Sequence, residues 1–119
     1  MPNGNIYVIG GLQRSEQNNE NQVLRDCFKI DVNMEVTQQE KMDTARFGSP
    51  LAVVHERFIF ALGGFSKNSE MTIDCEAYDI MSNVWFKTQS LPFPIANTTA
   101  CVMNKRKVYL MPGKQTNKA

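Results

Sequence analysis

The stretch Ile6-Tyr7-Val8-Ile9-Gly10-Gly11 returns as Ile59-Phe60-Ala61-Leu62-Gly63-Gly64. Each run is apolar, short and closed by a glycine pair. Two explanations compete for such a pair: a turn that cradles phosphate, or the mark of a repeated structural unit. A dinucleotide turn needs G-x-G-x-x-G running into a helix. Here Gly10-Gly11 leads into LQRSEQNNENQ, polar and without further glycine, and no G-K-[ST] occurs in the chain. The repeat explanation gains a third instance at Val108-Tyr109-Leu110-Met111-Pro112-Gly113, where proline replaces the first glycine. Gly64 follows Gly11 by 53 residues, and Gly113 follows Gly64 by 49.

The intervening segments keep the same period. CFKID (27–31) lies over CEAYD (75–79), which superposes Cys27 on Cys75 and Asp31 on Asp79. EKMDTAR (40–46) lies over QSLPFPI (89–95) and pairs Met42 with Leu91. SPLAVV (49–54) lies over NTTACV (97–102) with a shift of one residue. The period is about 50 residues, and its variation falls in the loop after each glycine pair, where a repeat array tolerates it.

Within one period the local signals are those of strands. Leu51–Val54, Phe58–Leu62, Met71–Asp79 and Val84–Thr88 are rich in β-branched and aromatic residues. Turn chemistry separates them at 55–57, 63–70 and 81–83. The best helical window, 34–46, is broken by Thr37 and the polar Gln38-Gln39. Four short antiparallel strands in about 50 residues predict an all-β chain whose unit is one blade of a β-propeller.

These residues resemble the kelch-repeat β-propeller family. The second repeat carries the full pattern: Arg46, SPLAVV, RFIFALGG, then CEAYD, NVW and SLPFP, with Gly63, Gly64, Tyr78, Asp79, Asn83 and Trp85 at the family's spacing. The first is partial: Gly10, Gly11 and Asp31 match, but Ile30 stands for the tyrosine and Thr37 for the tryptophan. The resemblance covers roughly residues 4–113. With the strands of a blade labelled a to d from the axis outward, residues 4–43 supply b, c and d of a first blade. Residues 44–91 form a complete second blade, 92–113 supply a and b of a third, and 114–119 are a polar tail. Tyr78 and Trp85, seven residues apart across a tight turn, are expected to face each other and fill the wedge between blades. Closure takes about four to eight blades, so the chain alone is expected to be an open array. Further kelch blades, from a longer chain or another subunit, are its expected neighbours.

Composition narrows the function. Hydrophobic residues make up 42% and charged residues 21%, which suits a folded domain of ordinary solubility. A net charge of +1 gives no field for nucleic acid or an anionic membrane. No apolar run approaches the roughly 18 residues a membrane span needs, and the opening residues lack signal-peptide character. Three widely spaced cysteines, Cys27, Cys75 and Cys101, suit reduced thiols in the cytoplasm rather than a disulfide framework. Neither metal nor cofactor is expected, since a zinc site needs about four clustered ligands and no C-x-x-C occurs. His55, the only histidine, is expected to be a solvated turn residue. The copper oxidase of the resembled family requires two histidines. Ser15, Ser49, Ser66 and Ser69 have no histidine but His55 from which to build a triad.

Recognition remains. In a four-stranded antiparallel blade the b–c and d–a loops share one face, here residues 12–22, 65–70, 42–48 and 91–97. The resemblance implies that this face binds protein partners. Arg14, Arg46, Phe65, Lys67 and Asn68 are the candidate contacts, the cations for acidic groups and Phe65 as an apolar anchor. The expected function is therefore a non-enzymatic, cytoplasmic interaction scaffold. The alternatives are a structural component of a cytoskeletal or ciliary assembly, and a kelch-type oxidase or lyase with its active site outside these residues.

Overall fold

A computed structural model describes residues 4–17, 20–97, 100–103, 107–110 and 114–115. The described residues are all-β, with no α-helix. The strands are β1 (Ile6–Ile9), β2 (Leu12–Arg14), β3 (Asn21–Val23), β4 (Cys27–Ile30), β5 (Val36–Gln38), β6 (Leu51–Val54), β7 (Phe58–Leu62), β8 (Cys75–Asp79), β9 (Val84–Lys87), β10 (Ile95–Ala96), β11 (Ala100–Met103), β12 (Lys107–Leu110) and β13 (Lys114–Gln115). Every pairing is antiparallel.

The second sheet is a four-stranded meander, β6-β7-β8-β9. Its register aligns residues in rows across the strands. Val53, Ile59, Tyr78 and Trp85 form one row and Leu51, Ala61, Glu76 and Lys87 the next, both on one face, here called the front. Ala52, Phe60, Ala77 and Phe86 lie on the back, as do Val54, Phe58, Asp79 and Val84. Both faces of β8 are buried along its whole length. That explains why CEAYD carries no simple apolar–polar alternation.

The first sheet has three strands, β1-β4-β5. Its back face offers Tyr7, Ile9 and Cys27 to the front of the second sheet. Tyr7, Cys27, Ile59 and Tyr78 are the buried centre of that junction, with Ile9, Leu51, Val53, Ile80 and Trp85 around them. The core therefore lies between sheets, the expected consequence of sheets apolar on both faces. A further hairpin, β11-β12, lies against β6. Lys114–Gln115, in the polar tail, pair with Ile95–Ala96. Among the described residues the sheets are open and close no ring, the arrangement of a partial propeller.

Two details depart from expectation. The strand foreseen over 71–79 is shortened to Cys75–Asp79. Residues 71–74 are instead drawn into the loop after the glycine pair: Phe65 bridges to Met71, and Thr72 N donates to Gly64 O at 2.9 Å. The second departure concerns register. Tyr78 faces Trp85, seven residues on, whereas Ile30 faces Val36, six residues on. The β4–β5 connection is one residue shorter, so Val36, not Thr37, takes the tryptophan's place.

Candidate functional site

The glycine pairs are used up by the fold. Gly10 and Gly63 have φ of +66° and +57°. A Cβ on Gly10 would lie 2.5 Å from Arg46 O, and one on Gly63 2.7 Å from Ile95 O. Only glycine accommodates both the left-handed backbone and the close carbonyl. Their amide donors are taken as well: Gly10 N to Asp26 O at 2.8 Å, Gly63 N to Asp74 O at 3.0 Å, Gly11 N to Arg46 O at 3.0 Å and Gly64 N to Ile95 O at 2.9 Å. The same two bonds appear in each repeat. The second glycine of each pair fastens the crossover leaving its sheet (39–46 or 88–95) to the end of β1 or β7, and the first holds the residue that precedes β4 or β8. No amides are left pointing outward to hold an anion.

Tyr78, Trp85 and Asp79 organise the outer half of the second sheet. The rings of Tyr78 and Trp85 stand 5.1 Å apart, and Tyr78 reaches Tyr7 of the first sheet at 6.0 Å. The Tyr78 hydroxyl donates to Asn83 Oδ1 at 2.6 Å, and burial pushes its pKa up. Asn83 Oδ1 also accepts Glu40 N at 3.0 Å, while Trp85 Nε1 donates to Glu40 O at 2.7 Å. Asn83 and Trp85 thus clamp the backbone of the preceding crossover. Asp79 accepts two bonds from Arg57, Nε at 2.9 Å and Nη2 at 2.8 Å, and caps Met81 N at 3.0 Å. The Arg57 guanidinium, hydrogen-bonded and close, holds the Asp79 carboxyl well below the usual carboxylate range. Arg57 also lies over the Phe58 ring, 5.0 Å from its centroid.

Arg46 is not the loop contact expected of it. Its side chain is 1% exposed. Nη1 donates to Gly63 O at 3.0 Å and Asp74 O at 2.7 Å, and Nη2 donates to Glu76 Oε2 at 2.9 Å. Glu76 in turn accepts Asp43 N at 2.7 Å and Thr44 N at 3.0 Å. One carboxylate therefore ties three residues of the crossover to β8. A charge buried this deeply is retained only with such partners, and Arg46 Nε alone lacks one.

Of the remaining candidates, Phe65, Lys67 and Asn68 follow the second glycine pair in the 65–70 loop, and Arg14 ends strand β2. Phe65 is half-buried and stacks on Phe47 with centroids 5.0 Å apart, so one face of its ring is occupied. Ser66 N to Glu70 O and Ser69 N to Ser66 O close a tight turn that lifts Lys67 and Asn68 into solvent. Arg14 is exposed at the end of β2, opposite Asn21 on the β2–β3 ribbon. Beside it is a hollow of about 450 Å³ lined by Gln13, Arg14, Ser15, Glu16, Gln17 and Gln22. The β2–β3 ribbon and the 65–70 turn follow equivalent strands, β1 and β7, and so project from the same side of the array.

Among the described residues no group of three His, Cys, Asp or Glu side chains is placed to hold a metal ion. His55 is exposed in the β6–β7 turn. Cys27 and Cys75 are buried free thiols, and burial pushes Cys27 up to about 12 and raises Cys75 as well. Both are poor nucleophiles at neutral pH. Cys101 lies outside the residues whose side chains are described.

No protein-family model matches the chain. Kelch-like protein 38 of Homo sapiens is 30% identical over 109 residues, which is 92% of this chain and 18% of that protein. Kelch-like protein 38 of Mus musculus is 29% identical over 112 residues, with the same shares. Kelch repeat and BTB domain-containing protein 8 of Danio rerio is 35% identical over 48 residues, 40% of this chain and 8% of that protein. These are kelch repeats. The chain spans about a fifth of the length of the kelch-like relatives it matches along most of its own.

Two residues that hold these kelch repeats together, Glu76 and Asn83, had not been assigned a role from sequence. Glu76 left a usable signal: a carboxylate inside CEAYD, on a strand with every other position apolar or motif, must find a cation. Arg46 lies at the entry to the same repeat. Asn83 left none for its contact with Glu40 N, because that backbone belongs to a different repeat.

Proposed function

We propose that the chain is a non-enzymatic segment of a kelch propeller that binds protein partners through its b–c and d–a loops, residues 12–22, 65–70, 42–48 and 91–97. One observation carries this reading. The motif residues are engaged within and between the sheets, while Arg14 on the β2–β3 ribbon and Lys67 and Asn68 in the 65–70 turn stand exposed. Functional contacts concentrate on loops held by such scaffolds. Buried thiols held in the protonated form fit a cytoplasmic protein. Ile6, Val8 and Val36 on the front of the first sheet and Val84 and Phe86 on the back of the second are exposed, which fits completion by further blades of the same longer chain or of another subunit.

The test substitutes the loop tips together, Arg14→Glu, Lys67→Glu and Asn68→Ala, and compares them with Met81→Lys on the opposite side. Partners are cross-linked in cells and quantified by mass spectrometry. The loop variant should lower partner recovery at least about tenfold, the loss expected from about 1.4 kcal/mol, and Met81→Lys should leave it unchanged. Recovery that follows Met81 and ignores the loops would reject the reading. Stoichiometric copper or iron in the purified protein would instead favour an enzyme.

A further inference from the structure

The front face of the first sheet is open, and the chain contains a template for what covers such a face. Two rows make up this face: Ile6, Ile30 and Val36, and Val8, Phe28 and Gln38. Ile6, Val8 and Val36 are 54%, 48% and 64% exposed. In the second sheet the equivalent face is covered by the back of the sheet before it and by the crossover carrying Arg46. The register fixes the equivalence. Leu62 pairs with Cys75 and Ala61 with Glu76, just as Ile9 pairs with Cys27 and Val8 with Phe28. Phe28 therefore occupies on the first sheet the place of Glu76 on the second.

The crossovers differ in the same sense. Arg46 O accepts from Gly11 N, and Ile95 O accepts from Gly64 N, so Ile95 holds on the second crossover the place that Arg46 holds on the first. The chain thus shows two crossovers, one ending in arginine and one in isoleucine. It also shows two front faces, one with glutamate at the key position and one with phenylalanine. The arginine crossover sits on the glutamate face. An arginine laid on the phenylalanine face would keep the two carbonyl acceptors supplied by Gly10 and Asp26. It would lose its carboxylate while still being stripped of water.

We infer that the front face of β1, β4 and β5 docks a β-sheet repeat whose crossover presents an apolar side chain, as Ile95 does, and rejects one presenting arginine. The pair at this position acts as a matching rule that fixes which repeats can be neighbours, with charge meeting charge and apolar meeting apolar. The absence of a Trp85 counterpart fits the rule. With Val36 opposite Ile30, the face has no indole donor for a crossover carbonyl and holds its neighbour by apolar contact. This inference rests on the reading of the chain as part of a longer array.

The experiment supplies the neighbour from the chain itself. A second copy of residues 44–105 is joined ahead of Gly4 in the full chain, so that the copied β6–β9 sheet, its Ile95 crossover and its β11 strand precede β1 with as many residues between β11 and Ile6 as lie between β6 and Ile59. Thermal unfolding is followed by circular dichroism. The added repeat should dock, giving one cooperative transition with a midpoint above that of the chain alone. Ile95→Arg in the added copy should then lower the midpoint by about 5–10 °C. In a Phe28→Glu background the order should reverse, with arginine giving the higher midpoint, a rescue that general misfolding does not produce. A docked repeat indifferent to residue 95 overturns this inference alone. An added repeat that aggregates or melts as a separate unit overturns it together with the array reading.

Discussion

Removing the Glu76 carboxylate should damage the fold more than any other single side-chain truncation at the junction of the two sheets. In Glu76→Ala the crossover loses three charge-assisted bonds, from Arg46 Nη2, Asp43 N and Thr44 N, at 2.9, 2.7 and 3.0 Å. The guanidinium of Arg46, 1% exposed, stays in place with only carbonyls for company. Breaking a buried ion pair from one side costs about 3–5 kcal/mol, because the surviving charge is uncompensated. The 119-residue length implies an unfolding entropy of roughly 0.25 kcal/mol/K, so the midpoint should fall by about 12–20 °C. The double variant Arg46→Met/Glu76→Leu removes both charges and fills the space with apolar groups. It should recover most of the loss, since such replacements of whole buried pairs are often neutral or stabilising. Urea and thermal unfolding of the wild type, both single variants and the double variant complete the cycle. A loss under about 1 kcal/mol in Glu76→Ala, or a double variant as unstable as the sum of the singles, would refute the reasoning.

Three further outcomes are expected. Gly63→Ala combines a φ of +57° with a Cβ 2.7 Å from Ile95 O, so it should cost more than about 2 kcal/mol in chemical denaturation, beyond the 1–2 kcal/mol of a left-handed alanine alone. The β6–β7 turn places His55 and Glu56 at φ of +56° and +55°. His55→Asn with Glu56→Gly supplies the residues such a turn prefers and should raise the thermal midpoint by about 1–2 kcal/mol equivalent. Asp79 titrates lower in the folded chain than unfolded because Arg57 binds its charged form. Its contribution is therefore complete above the unfolded value of about 3.9 and is lost as pH falls toward the depressed folded value. Asp79→Asn should flatten the decline of stability below about pH 4. An unchanged slope in acid titrations of the melting midpoint would exclude that role.

Part of this architecture was legible in the order of residues because it is local. A left-handed glycine at the end of a strand, a two-residue turn and a run of β-branched residues each depend on their own backbone. Recurrence every 50 or so residues turned those local signals into sheets. Tyr78 and Trp85 face each other because a short turn fixes their register, and a short turn is visible in sequence. The same reasoning misplaced the first repeat's counterpart by one residue. The length of the β4–β5 connection, not the alignment of Thr37 with Trp85, decides that Val36 lies opposite Ile30.

What sequence alone left open was every feature that joins one repeat to another. Arg46 reads as a loop cation until Glu76, thirty residues away, is brought beneath it. Phe65 reads as a free apolar anchor until Phe47 occupies one side of its ring. The glycines announced a turn, but not the carbonyls of Arg46 and Ile95 that make a side chain there impossible. The sequence by itself determined the strands, their period and the places where the chain turns, since these follow from backbone preferences over a few residues. Only the tertiary structure decided which charges are buried and which are presented, because desolvation depends on the sheet stacked above, and that neighbour comes from a different repeat.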